Sequence, residues 1–235
     1  MKIIPNFSPN YSNKRRIKKA IKFIIIHYTG MQSEIESIKR LKNPKSKVSC
    51  HYLINRKGII TQLVKDKNVA WHAGKSKWKK FVNLNYNSIG IELVNKGHQF
   101  GYQNFSKEQI NSLIRLCKNL KKKYLIKKEN FLGHSDIAPL RKKDPGERFP
   151  WKRLNAHNIG NWFKANHKFI HVNTKLRKVL FFKNLKKLGY KYFSVNKRNI
   201  NDTRVIKSFQ QHYLPKNITG KIDEKTLKIS HFLTH

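Results

Sequence analysis

Lys22-Phe23-Ile24-Ile25-Ile26-His27-Tyr28 is the stretch around which the rest of the chain is organised. Its run of β-branched and aromatic residues predicts a buried strand. Thr29-Gly30 follows and ends the strand, so His27 is expected at the strand exit, where side chains meet solvent. The segment therefore predicts a strand that carries a histidine to a place where chemistry is possible.

Three further segments have the composition of strands. Residues 48–54 and 59–64 are separated by the turn sequence Asn55-Arg56-Lys57-Gly58, which predicts a hairpin. Residues 88–94 form an apolar run that Glu92 interrupts. Because a buried carboxylate without a partner is costly, Glu92 is either an edge-strand residue that points to water or a tuned general base.

Capping signals predict two amphipathic helices. Ser33 with Glu36 begins a short helix that ends before Pro44, and Ser106 with Gln109 begins a longer one with a continuous apolar stripe. After them, residues 130–133 predict a short strand that delivers the next residue, a histidine, at its end. Residues 151–163 predict an irregular final helix.

That histidine opens the loop Gly133-His134-Ser135-Asp136-Ile137-Ala138-Pro139-Leu140-Arg141-Lys142-Lys143-Asp144-Pro145-Gly146. Glycine and proline close it on both sides and cannot continue a helix. Asp144 beside two lysines suggests a carboxylate held by strong partners, which are either the lysines or a metal ion. A surface turn with a local ion pair is the alternative.

The composition is that of a globular protein with an extreme charge. The 235 residues include 52 Lys and Arg against 12 Asp and Glu, a formal net charge of +40. Such a charge suggests a polyanion as partner, either nucleic acid or an anionic cell-wall polymer. The basic residues are spread along the whole chain and no nucleic-acid-binding motif is present, so a specific nucleic-acid partner is not expected. No segment approaches the ~20 apolar residues of a membrane span.

The cysteines and the first 20 residues carry little functional information. Cys50 and Cys117 are expected to be ordinary buried thiols, although one bridge between them is possible in principle. The amino-terminal residues are basic but are not followed by an apolar segment with a cleavage site, so no export signal is expected in the chain as given.

Three separated side chains together make a metal-ligand set. His27, His134 and Asp144 supply two imidazoles and one carboxylate, as in a catalytic zinc site that leaves its fourth position to water. Hydrolysis at such a site also needs a base and a cation for the oxyanion. Glu92 fits the first role and Lys142, tethered to the ligand loop, fits the second.

Five motifs carry a resemblance to a known family. They are His27-Tyr28-Thr29, the stretch 48–54, Ala70-Trp71-His72-Ala73-Gly74, Ser88-Ile89-Gly90-Ile91-Glu92 and the loop 133–146. In this order they resemble the zinc-dependent N-acetylmuramoyl-L-alanine amidases, which are related to the peptidoglycan recognition proteins. The resemblance covers residues 21–151.

The resemblance implies an α/β fold of the α+β type, with a mixed β-sheet flanked by helices and the zinc site at strand ends. It implies one Zn²⁺ on His27, His134 and Asp144, with Glu92 and Lys142 as catalytic residues. Tyr28, Trp71 and His72 match motifs that line the cleft in the family, and His51 is expected to be structural.

The expected reaction is hydrolysis of the amide between N-acetylmuramic acid, including its 1,6-anhydro form, and L-alanine in peptidoglycan or muropeptides. A peptidoglycan-binding protein without catalysis is the alternative. The partner is then the muropeptide substrate, and a monomer without transmembrane segment is expected.

The tail resembles a small three-helix peptidoglycan-binding domain. Helices are predicted over 176–188, from 202 to 213 with Asp202 as cap, and from Asp223 onward. Their expected core consists of Leu180, Leu185, Val205, Ile206, Phe209 and Leu227. The expected division is an extension (1–20), a zinc amidase domain (21–166), a linker (167–175) and this helical domain (176–235). Amidases with such a tail include outer-membrane lipoproteins, which leaves periplasmic and cytoplasmic locations open.

Overall fold

The computed structural model describes residues 2–164 and 172–235. A six-stranded mixed sheet forms its centre and two two-stranded sheets lie beside it. The strands are β1 (Ile3–Pro5), β2 (Tyr11–Ser12), β3 (Phe23–Tyr28), β4 (Tyr52–Ile54), β5 (Ile60–Gln62), β6 (Val69–Ala70), β7 (Lys77–Trp78), β8 (Phe81–Val82), β9 (Ser88–Leu93) and β10 (Phe131–Gly133). The predicted fold class, a mixed sheet flanked by helices, is confirmed.

The order of the main sheet is β1-β5-β4-β9-β3-β10. Strand β3 is interior and pairs in parallel with β9 and β10, while β4 and β5 pair antiparallel and form the predicted hairpin. Both hairpin strands are shorter than predicted. Because β9 lies between β4 and β3, the alternative that Glu92 sits on an edge strand is wrong.

Seven α-helices occur among the described residues. They are α1 (Glu34–Lys42), α2 (Lys107–Tyr124), α3 (His134–Ile137), α4 (Trp151–Ala156), α5 (Thr174–Leu188), α6 (Asp202–Tyr213) and α7 (Glu224–Phe232). The predicted caps of α1 and α2 are confirmed, since the hydroxyls of Ser33 and Ser106 accept hydrogen bonds from the backbone N–H of Glu36 and Gln109. The predicted helix over 151–163 is regular only in its first six residues, as α4.

The two faces of the main sheet are covered differently, because successive residues of a strand point to opposite sides. Ile24 and Ile26 pack with the apolar stripe of α2. Phe23 and Ile25, on the other face, belong to a cluster that includes buried residues of α5, α6 and α7. The C-terminal helices therefore share a hydrophobic core with the sheet, and they lie on the face from which His27 projects.

The C-terminal helices agree with the prediction in most respects. Of the predicted core residues, Leu180 is only partly buried and the other five are buried. The assignment of Asp202 as helix cap is wrong, because Asn201 is the capping position and Asp202 is the first helical residue. Asp223 does cap α7. Residues 167–171 of the predicted linker lie outside the described residues, and α5 already begins at Thr174.

Both cysteines are buried free thiols, as predicted. Among the described residues, no helix is long and apolar enough to cross a membrane.

Candidate metal centre and active-site cleft

All eight site residues expected from the sequence line one cleft of about 650 Å³. They are His27, Tyr28, Trp71, His72, Glu92, His134, Lys142 and Asp144. The cleft lies at the carboxyl ends of β3, β9 and β10, because His27 and Glu92 are near the ends of their strands and His134 follows β10 directly. Parallel pairing brings these three strand ends to the same edge of the sheet.

Three side-chain atoms form a small triangle at the floor of the cleft. His27 Nδ1 lies 3.0 Å from His134 Nδ1 and 2.9 Å from Asp144 Oδ2, and the third side measures 3.1 Å. All three residues are buried. Among the described residues, these three form a group of potential metal ligands whose atoms lie close enough together to hold one ion.

The hydrogen-bond partner of the other ring nitrogen fixes the tautomer of His134. Its Nε2 lies 3.1 Å from the carbonyl oxygen of Ala73, which can only accept a hydrogen bond. The proton is therefore on Nε2 and the Nδ1 lone pair points into the triangle. The guanidinium of Arg141, 3.1 Å from the same Nε2, instead donates to the Ala73 carbonyl.

A chain of three side chains fixes the tautomer of His27. The Ser88 hydroxyl donates to the carbonyl of Leu84 (2.7 Å), so its oxygen accepts from His72 Nε2 (3.2 Å). His72 Nδ1 is then an acceptor, and His27 Nε2–H donates to it across 3.0 Å. The His27 Nδ1 lone pair consequently points into the triangle as well.

The backbone of Gly90 makes room for this chain. A Cβ atom at Gly90 would lie 2.4 Å from Cγ of His72, so the imidazole packs directly on the strand. The close approach requires glycine, which explains Gly90 within the motif that resembled the family. His72 is thus a partner of a ligand as well as a residue of the cleft wall.

The titration behaviour of the triangle suits a cation. Burial, and then the neighbouring His134, lower the pKa of His27 to about 4, so its imidazole is neutral at pH 7. Burial alone would raise the pKa of Asp144, but both histidines outweigh it and hold that pKa well below its usual range. In the neutral tautomers assigned above, two lone pairs and a carboxylate oxygen face one another. A divalent metal ion would satisfy all three, and the donor set fits it.

Glu92 lies beside the triangle and is the register partner of His27. Burial and the charge of Asp144 raise the pKa of Glu92 to about 8, while Lys142 opposes the shift. Its Oε2 atom is buried and makes no hydrogen bond to any described residue. A buried carboxylate oxygen without a partner, at the wall of a cleft, is placed to exchange a proton with a molecule bound there.

The rim of the cleft contains residues that sequence reasoning did not single out. His98 contacts the hydroxyl of Tyr28 (2.9 Å) and Glu147 (3.0 Å), and its ring stacks on Tyr102. Arg141 belongs to the loop, but nothing in the sequence around it predicted a role at the site. His98 lies in a segment without a motif, so only the fold could bring it to the site. His51, expected to be structural, accepts a hydrogen bond from the Gly90 N–H away from the triangle.

The sheet, the His-His-Asp triangle and the adjoining glutamate define the class of protein. The chain belongs to the N-acetylmuramoyl-L-alanine amidase family, whose sequence profile matches residues 17–147. It is 36% identical over 230 residues to the N-acetylmuramoyl-L-alanine amidase AmiD of Escherichia coli, an alignment that covers 91% of this chain and 82% of the relative.

Solved structures of two relatives have the same fold over nearly the whole chain. The complex of E. coli AmiD with anhydro-N-acetylmuramic acid-L-Ala-D-γ-Glu-L-Lys superposes with a TM-score of 0.79 at 33% identity, covering 96% of this chain and 92% of that one. AmpDH3 of Pseudomonas aeruginosa in complex with anhydromuramic pentapeptide also superposes with a TM-score of 0.79. The identity is 30%, and the match covers 96% of this chain and 95% of that one. The likeness therefore extends through the C-terminal helices.

Proposed function

We propose that this protein is a zinc-dependent amidase that cleaves the bond between N-acetylmuramic acid and L-alanine in muropeptides. The observation that carries the proposal is the triangle of His27 Nδ1, His134 Nδ1 and Asp144 Oδ2. Ligand atoms at the usual distances from a tetrahedral zinc ion are about 3.3 Å apart, close to the sides of this triangle. Two imidazoles and one carboxylate are also the ligands of known catalytic zinc sites, which leave one position open.

The residues of the cleft then have distinct roles. When bound, a zinc ion would polarise the scissile carbonyl and lower the pKa of a water molecule. Glu92, whose ionised form the charge of a bound zinc ion would favour, takes the proton of the attacking water and passes it to the amine of the leaving L-alanine. Lys142 places a positive charge next to the oxygen on which negative charge develops. Tyr28 and Trp71, half-buried on the rim, contact the substrate.

The form of the substrate is proposed from the relatives. Both solved complexes named above contain muropeptides with an anhydromuramic acid, and this chain matches those proteins over most of their length. We therefore propose that muropeptides with the 1,6-anhydro ring are substrates, with a role in the degradation or recycling of cell-wall fragments.

The proposed organisation follows the same relatives. Residues 21–166 form the amidase domain after an extension of 20 residues, and residues 176–235 form a unit that resembles a peptidoglycan-binding domain. We propose that the protein acts as a monomer, since the cleft is assembled from one chain.

The test uses purified protein and two defined muropeptides, one with and one without the anhydro ring. We expect release of the stem peptide from both or from the anhydro form, and about one zinc per chain by metal analysis. Glu92→Gln should retain zinc and substrate binding and lose hydrolysis. Binding of muropeptide by the wild-type protein without release of any peptide would instead support the alternative of a non-catalytic peptidoglycan-binding protein.

A further inference from the structure

The loop that carries two of the three candidate ligands lies directly against helix α6. Four residues of α6, Arg204, Ser208, Gln211 and His212, contact this loop. Their spacing of four, seven and eight residues places them on one face of the helix. The adjoining face, with Val205 and Phe209, packs into the shared hydrophobic core.

Three of these contacts are hydrogen bonds to backbone carbonyls of the loop. The Ser208 hydroxyl donates to the carbonyl of Ser135 (2.8 Å), and the Gln211 amide donates to that of Lys143 (3.1 Å). Arg204 donates to the carbonyl of Leu140 (3.0 Å). Ser135 and Lys143 are direct neighbours of the candidate ligands His134 and Asp144, so α6 holds the backbone next to both ligands.

The fourth contact is a buried polar network around Asp136. Its carboxylate, 1% exposed, accepts hydrogen bonds from Tyr190 Oη (2.6 Å), His212 Nδ1 (2.9 Å) and the backbone N–H of Gly133 (2.8 Å). The first two donors come from the C-terminal helical unit, and the third lies next to His134. Asp136 therefore joins that unit to the residue that precedes a ligand.

The donors themselves are held rigidly. The His212 ring is stacked between Trp151 (4.0 Å, 12°) and Tyr213 (4.1 Å, 16°), and the Tyr190 ring packs edge-on against Trp78 (4.8 Å). Aromatic packing of this kind leaves the two donors little freedom to follow a shift of the loop. The network can thus set the position of the loop instead of adapting to it.

We propose that the C-terminal helical unit positions the metal centre, with Tyr190, Ser208 and His212 as positioning residues that hold the ligand loop in its metal-binding geometry. This inference rests on the proposed function and goes beyond it, because a peptidoglycan-binding tail would be needed only for attachment to the wall. Partners that hydrogen-bond directly to metal ligands change metal affinity or activity about 10- to 100-fold when removed, and these three residues act one step further out, through the loop that carries the ligands.

The test compares full-length variants by their zinc affinity, measured by competition with a chelator, and by their kinetics on a small soluble muropeptide. His212→Leu and Tyr190→Phe should lower zinc affinity about 10-fold or more and lower kcat, with KM changed less than about 3-fold. His212→Asn, which can donate from a similar position, should recover most of the loss. A purely structural role of the ring would not be rescued by the smaller amide.

Ser208→Ala tests the role of its hydroxyl, and Ser230→Ala is the matched control. Both remove one buried hydroxyl from the C-terminal helices, but the Ser230 hydroxyl forms its hydrogen bonds with Leu227 and Asn184, which lie outside the loop. We expect the two variants to lose a comparable amount of melting temperature, and only Ser208→Ala to bind zinc more weakly. If both serine variants and Tyr190→Phe kept wild-type zinc affinity and soluble-substrate kinetics, and lost only retention on insoluble peptidoglycan, the positioning role would be overturned.

The proposed function fails in a different way. It fails if the wild-type protein neither binds zinc nor releases stem peptide. The positioning role fails if the wild-type protein does both and the loop-facing variants match it.

Discussion

His27 and Glu92 lie directly opposite one another in the parallel pairing of β3 and β9. Their side chains consequently project from the same face of the sheet, one toward the metal triangle and one beside it. A candidate ligand and the candidate base are therefore fixed to each other by interior strands. Neither depends on a loop for its relative position.

The first prediction concerns metal binding. His134→Ala removes one of the two Nδ1 lone pairs and should abolish stoichiometric zinc binding at pH 7, as measured by metal analysis after dialysis. His157→Ala, at an exposed position after α4, is the control and should retain the metal. Equal zinc content in both variants would show that the ligand assignment is wrong.

The second prediction separates chemistry from binding. Glu92→Gln keeps the shape of the side chain but cannot accept the proton, so kcat should fall by about 10²- to 10⁴-fold. Zinc content and KM should change little, because Glu92 is not in the triangle. The measurement is stem-peptide release at saturating muropeptide, and a variant with more than about a tenth of wild-type kcat would exclude Glu92 as the base.

The third prediction concerns the oxyanion. Lys142→Met should lower kcat about 10²-fold, the usual effect of removing one charged or hydrogen-bonding partner of the developing oxyanion. Lys80→Met, an exposed charge deletion, controls for the change in net charge. Comparable rates for the two variants would remove Lys142 from the mechanism.

The fourth prediction concerns Gly90 and His72. In Gly90→Ala the new methyl group would collide with the His72 ring, displace it from His27 Nε2 and lower zinc affinity about 10- to 100-fold. His72→Ala should lower zinc affinity by a similar factor. Because both changes break the same contact, the double variant should bind zinc about as weakly as His72→Ala alone, whereas additive losses would show that the two residues act independently.

The fifth prediction concerns pH and stability. Asp66 accepts hydrogen bonds from Tyr52 (2.6 Å), Lys123 (2.8 Å) and Tyr124 (2.6 Å). Burial would raise the pKa of Asp66, but these partners outweigh it and hold that pKa below its ordinary value of 3.8. A carboxyl with a lowered folded-state pKa stabilises the protein above its unfolded pKa, and this contribution disappears as pH falls through the folded value.

We therefore expect Asp66→Asn to lower the free energy of unfolding by about 1–3 kcal/mol at pH 7. The difference from wild type should shrink as pH falls below about 4. Urea denaturation at pH 7 and at pH 3 measures both values. A difference that grows toward acid pH would contradict the sign of the pKa shift.

Much of the architecture could be predicted from local patterns. The apolar run before His27 predicted a buried strand, and Ser33 and Ser106 predicted helix starts at the positions observed. Asp202 failed as a cap because the chain enters α6 through Asn201 in a helical conformation, a difference of one residue that propensity alone does not resolve. The hairpin strands are shorter than predicted because a strand ends where backbone pairing with its neighbour ends, and residue composition does not show that point.

For the candidate site, the sequence by itself determined the chemistry. It supplies two histidines at the ends of apolar strands, an aspartate in a glycine-bounded loop and one glutamate in an apolar run. These are local properties of short segments. Only the tertiary structure decided that His27 and Asp144, 117 residues apart, meet within 2.9 Å. It also decided which atoms face each other, through the carbonyl of Ala73 and the His72–Ser88 chain, and it brought α6 against the ligand loop. Tautomers and loop positions depend on hydrogen-bond partners that are distant in sequence, and no pattern within one segment can specify them.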